Sequence, residues 1–152
     1  MSLEEWKRIH WLKESVPTLA EITQLFAVVD REISDASISG LSVDGQYMHA
    51  YDAALNLCTI ALRSSGYAVM KGQGHHKKTI EALPHCLGKD YSEVADFIEV
   101  ASRQRGQAMY DRTGVVEQKD AADLLQTAID LRAAVIQWLG REHPKLVSKS
   151  IK

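Results

Sequence analysis

The sequence predicts an all-α protein, an up-and-down four-helix bundle with extra short helices. Three observations predict it. Apolar residues recur at helical spacing in four long segments, no stretch alternates with the period of two that a half-buried strand shows, and the connections are short.

The elements follow in order. A weaker helix around Trp6 to Lys13 is expected to pack outside the bundle. Thr18 and Glu21 have capping-box spacing directly after Pro17, and Leu19, Ile22, Phe26, Val29, Ile33 and Ala36 form the stripe of the first long helix, ending near Gly40. After a turn-like Ser42-Val43-Asp44-Gly45, a second helix runs to about Ser65, stopped by Gly66. It is apolar almost all round, with one polar strip at Asp52, Asn56, Thr59 and Arg63, so it belongs at the centre of its domain. Lys71-Gly72-Gln73-Gly74 is a connector, and Gly74-His75-His76 opens a short helix that Pro84 closes. A third long helix spans about 90–110. The fourth carries Ala121, Leu124, Leu125, Ala128, Leu131, Val135 and Trp138, and stops at Gly140 before Pro144. The division is an N-terminal helical extension (1–16), the bundle (17–143) and a frayed tail (144–152).

Composition narrows the function classes. With 152 residues, 45% of them apolar and 25% charged, one ordinary domain is expected. A net charge of −2 excludes a general cationic coat for nucleic acid, although local basic patches remain open. No apolar run reaches the roughly 18 residues of a membrane span, and the start Leu3-Glu4-Glu5-Trp6-Lys7-Arg8 is too charged for a signal peptide. Cys58 and Cys86 lack metal-type spacing, which fits reduced thiols and a cytoplasmic location.

Arg105 is the position that breaks the pattern. It falls on the face of Val94, Ile98, Ala101 and Ala108, where an apolar side chain is expected, while Arg103, Gln107 and Tyr110 face the other way. A cation there needs a carboxylate, carbonyls, a phosphate or a partner subunit. Asp52, on a helix with few polar positions, is the internal candidate for its counter-charge. His75 and His76 point about 100° apart as helical neighbours and cannot grip one metal together, and His85 beside Cys86 has the same fault. No metal and no cofactor is therefore expected. The basic run Lys71, His75, His76, Lys77 and Lys78 suits a phosphate, though it also fits a solvated face. No phosphate-binding glycine loop and no nucleophile elbow occurs.

Taken together, residues 46–139 resemble the HEPN superfamily of all-helical domains. The matching pieces are Ala50-Tyr51-Asp52-Ala53-Ala54-Leu55 through Ser65-Gly66-Tyr67, then Gly74-His75-His76 with Ile80, then the segment Arg103-Gln104-Arg105-Gly106-Gln107-Ala108-Met109-Tyr110-Asp111, and last the alanine- and leucine-rich final helix. The resemblance implies a homodimer with two signature helices around a shared cleft. In the family's ribonucleases an arginine steadies the scissile phosphate without a metal, and a histidine a few residues on serves acid–base catalysis. Carried over, Arg103 is the arginine and Tyr110 the tyrosine that often follows, but Ala108 stands where the histidine belongs. With Arg105 as the arginine, that position falls on Tyr110. A phenol with an ordinary pKa near 10 is a poor proton shuttle at neutral pH.

The resemblance thus implies a dimer that binds RNA or a nucleotide through Arg103, Arg105, Tyr110, His75, His76 and Lys77 without cleaving it. Docking of a nucleotidyltransferase-type partner in a toxin–antitoxin or defence pair belongs to the same expectation. One alternative is a metal-independent ribonuclease in which Arg103 and Tyr110 act with His75 or His76 from the short helix. Another is a structural role alone, with Arg105 and Tyr110 in a buried hydrogen-bond network, and Asp52 as counter-charge, fixing the bundle or its dimer.

Overall fold

A computed structural model describes residues 2–70, 72, 74–110, 116–149 and 151, with the side chains of residues 107–110 outside the description. The chain is mostly helical, as the periodicity predicts. Four long helices carry it: α2 (Leu19–Ala36), α3 (Val43–Ser64), α6 (Ser92–Tyr110) and α7 (Gln118–Glu142). Shorter helices are α1 (Leu3–Arg8), α4 (His75–Glu81) and α5 (Leu83–Leu87).

The nearly all-apolar helix is central. α3 packs against α2, α4, α5, α6 and α7, and Ala50, Tyr51, Ala53, Ala54, Leu57, Cys58, Ile60 and Ala61 are all buried. Alanine at this frequency lets neighbouring helices come close, while Phe26, Ile98, Leu124 and Val135 fill the space between them. Ser42 caps α3 rather than ending a turn: its Oγ accepts from Gly45 N at 2.9 Å. A Cβ on Gly45 would lie 2.9 Å from that oxygen, so a larger residue would crowd the cap. Thr18 caps α2 in the same way, accepting from Glu21 N at 3.1 Å.

Two short strands correct the expectation of helices throughout. β1 (Leu12–Glu14) pairs antiparallel with β2 (Tyr67–Val69), with Leu12 opposite Val69 and Glu14 opposite Tyr67. The N-terminal helix therefore stops at Arg8 instead of running to residue 13, where His10 turns the chain at a φ of 65°. Strands of three residues show too little alternation to register as a pattern. The ribbon seats Leu12 and Val69 in a second apolar cluster with Trp6, Leu62 and Ala82, which joins α1 and β1 to α3 and β2.

The C-terminal stretch is a second correction. Pro144–Leu146 form a 3-10 turn against α2 and α7, and Ile151 is buried in the main core with Leu146 and Val147 beside it. Burying those apolar groups offsets the entropy of ordering the tail. Pro84 also acts differently than expected. It lies in the first turn of α5, where its missing N–H costs nothing, rather than simply ending α4.

The polar strip of α3 ties the other elements to this central helix. Near its C-terminal end, Arg63 donates to both carboxylate oxygens of Glu21 on α2, at 2.7 and 3.0 Å. It also donates to the carbonyls of Ser15 and Tyr67 that flank the ribbon, at 3.1 and 3.0 Å. The bonds from Arg63 hold the Glu21 carboxyl below the usual carboxylate range. Nearer the start of the helix, Asp52 faces α6.

Candidate functional site

Arg105 sits where the stripe of α6 turns inward. Ala95, Ile98 and Ala101 are buried along that face, and the Arg105 side chain is 25% exposed against 69% for Arg103. Its Nε lies 3.6 Å from Asp52 Oδ1 on α3, and its Cζ stands 5.4 Å from the centre of the Tyr51 ring. At that distance the Asp52 contact is an ion pair without a hydrogen bond. Among the described residues, the buried Nε has no hydrogen-bond partner.

The surroundings hold this end of α6 in place. Tyr51 donates to Ser102 Oγ at 3.2 Å, and Tyr47 donates to Gln104 Oε1 at 2.7 Å. Burial pushes the Tyr47 phenol up to about 12 and raises that of Tyr51, so both stay protonated donors at neutral pH. Asp52 is the electrostatic oddity. Burial raises its carboxyl above the ordinary aspartate value, and the Arg105 cation and the nearby imidazoles only partly oppose that.

The third side comes from α4, which packs on both α3 and α6. His76 is close enough to feel the charges of Arg105 and Asp52. Desolvation comes first, then His75 and Arg105, and these lower its pKa against the pull of Asp52, which favours the neutral imidazole. Asp52 and Arg105 are thus in contact between α3 and α6, and the charges of both act on His76 of α4.

Other sequence candidates lie elsewhere. Arg103 pairs with Glu99 at 3.2 Å across one helical turn. With Lys77 it lines a separate hollow of about 450 Å³ that also contains Trp6, His85 and Asp96. Lys77 lies 3.8 Å from Glu81, and Lys78 Nζ stands over the Trp11 ring. The basic run is therefore dispersed, not focused. His75 touches the His76 ring edge-on, with 5.8 Å between centres, and neither ring caps α4, whose N-cap is Gly74. The side chains of Ala108 and Tyr110, and Lys71 altogether, lie outside the description.

Three residues on the far side of Asp52 were missed in the sequence. Glu32, on the inward stripe of α2 and only 6% exposed, joins His49 of α3, with 2.7 Å between Oε2 and Nδ1. Its Oε1 takes Arg31 Nη2 at 2.8 Å. Burial works to raise the Glu32 pKa, but the bonds from His49 and Arg31 outweigh it and hold the carboxyl below the usual range. Asp35 lies one turn on. One ligand atom from each of Glu32, Asp35 and His49 falls within 4.8 Å of the others. The pattern was visible as Glu32-x-x-Asp35 and His49-x-x-Asp52, each pair sharing a helical face.

The cysteines offer no reactive group, because burial raises both thiols, Cys86 to about 11. No helix among the described residues is long and apolar enough to cross a membrane. No family model, curated protein or solved structure matches the chain.

Proposed function

We propose that the chain is a HEPN-type domain that binds the phosphate of RNA or of a nucleotide, without cleaving it, at Arg105 beside Asp52 and His76. The observation that carries this reading is the half-enclosed Arg105 guanidinium. It is paired with Asp52 only at 3.6 Å, and among the described residues its buried Nε has no hydrogen-bond partner. A planar cation with donors to spare is suited to phosphate oxygens, which it can take in pairs. Arg103 and Lys77, at the neighbouring hollow, are then available to a longer strand. The homodimer and a nucleotidyltransferase-type partner belong to the same proposal. Phe97 and Val100, both 41% exposed and on one side of α6, are apolar surface for such a contact.

Titration with RNA oligomers and nucleotides tests the proposal. Saturable binding that weakens steeply with salt is expected, because phosphate contacts release counterions. No saturable binding to any of them retires it.

One observation favours a second reading, a metal-independent ribonuclease. α4 packs against α6, and His76, held toward its neutral form, lies near Arg105. An imidazole from α4 would replace the one missing from the signature segment. RNA cleavage that persists in EDTA and is lost in both His76→Ala and Arg105→Ala supports it. Cleavage that survives both changes counts against it.

A further inference from the structure

We propose that Glu32, Asp35 and His49 form a binding site for one divalent transition-metal cation. The proposal is independent of phosphate binding at Arg105. Helices α2 and α3 each contribute a pair of residues three apart, Glu32 with Asp35 and His49 with Asp52, and Glu32 meets His49 across the seam between the helices. In helical bundles, carboxylates and a histidine projecting from facing helices at this spacing are a recurrent way of holding metal ions.

The trio differs from an acidic patch on a surface. Glu32 is a buried carboxylate on the apolar stripe of Ile22, Phe26, Val29 and Ala36, and its nearest partner across the seam is an imidazole nitrogen, 2.7 Å from Oε2. One nitrogen and two carboxylate oxygens, all within 4.8 Å of one another, are three ligands of the types that zinc, manganese and iron(II) accept. Metal–ligand bonds of roughly 2.0–2.2 Å put neighbouring ligand atoms about 3.3–3.6 Å apart in a tetrahedral shell. The ion would therefore replace the proton shared by His49 and Glu32, opening that 2.7 Å contact by roughly 0.6–0.9 Å. Asp35 would close the third side by a change of rotamer, and water would complete the shell.

Charge favours a moderate affinity. Glu32, Asp35 and the nearby Asp52 carry three carboxyl groups, against the cations of Arg31 on Glu32 and Arg105 on Asp52. Arg31 is the opposing group closest to the trio, and its side chain is 63% exposed, so it can swing away as the cation arrives.

The test is calorimetric titration of the EDTA-stripped, dialysed chain with Zn²⁺ and, separately, Mn²⁺. One ion per chain is expected for at least one of them. His49→Ala should weaken binding at least tenfold, as should Asp35→Asn, while Arg31→Ala should tighten it. His76→Ala, which alters the surroundings of Arg105, should leave it unchanged. Both His49 and Asp35 are partly exposed, so folding of these variants can be verified by circular dichroism before titration. No saturable binding of either ion overturns the proposal. So does binding that His49→Ala leaves intact, or that His76→Ala abolishes equally. RNA or nucleotide binding by the stripped chain bears only on phosphate binding at Arg105, so the two proposals fail separately.

Discussion

Arg105 Nε lies 3.6 Å from Asp52 Oδ1, with the guanidinium carbon 5.4 Å from the Tyr51 ring centre. The two charges attract, yet the Asp52 carboxyl stays above its ordinary value because the effect of burial exceeds that of the cation. An ion pair in that condition contributes less stability than a well-bonded one, and it leaves the guanidinium able to accept another anion.

Removal of Arg105 should therefore cost a moderate amount. Arg105→Ala is expected to lower stability by about 1–2 kcal/mol, below the roughly 3–5 of a fully buried broken pair, since both partners are partly solvated. Arg103→Ala, whose side chain is mostly exposed, should cost less than about 0.5 kcal/mol. Urea denaturation of both variants checks this, and equal losses contradict it.

Asp52 gives a pH dependence with a definite sign. A carboxyl whose folded pKa exceeds its unfolded value favours folding when protonated. Its contribution is full below the unfolded value and is lost as pH rises through the folded one. Asp52→Asn removes that loss, so the variant should gain stability relative to the parent as pH rises through the mildly acidic range. Denaturation midpoints measured across that range decide it; a difference that is flat or falls with pH contradicts the prediction. Glu32, whose carboxyl is lowered, works in the opposite sense: its stabilisation is present above the unfolded value and is lost as pH falls through the folded one.

Arg63 should matter more than any surface pair. Its side chain is 12% exposed and holds Glu21 and two carbonyls, so Arg63→Ala is expected to cost about 2–4 kcal/mol. Arg132 is 2.6 Å from Asp30, but that carboxylate is half exposed, and Arg132→Ala should cost less than about 1 kcal/mol. Thermal unfolding of the two variants separates the cases, and a reversed order would count against this assignment.

Tyr47 links α3 to α6 five residues before Asp52. Tyr47→Phe keeps the ring packed but leaves Gln104 without its donor, at an expected cost of about 1 kcal/mol. Denaturant titration of the variant checks this; no loss would mean that the bond is replaced by water.

The helical class and the central position of α3 were legible because long apolar stripes repeat over many turns. The ribbon was not, because three-residue strands carry almost no period, and a positive φ at His10 has no sequence signature comparable to glycine's. The tail read as frayed because Ile151, its buried residue among those described, stands among lysines and serines. At the site, Arg105 and Asp52 stood out as charges on apolar faces. Glu32 had the same property, lying between Val29 and Ile33 on the stripe of α2, but it was passed over. His49 required knowing which face of α3 meets α2, which spacing within one helix does not reveal.

Fluorescence titration of a labelled RNA oligomer, run in parallel with the parent chain and Arg105→Ala at low and high salt, bears most directly on the proposal that Arg105 binds phosphate. The expected result is saturable binding by the parent that weakens steeply as salt rises, and a loss of at least tenfold in the variant once its folding is verified. Equal affinity in the two proteins, or affinity insensitive to salt, would contradict it.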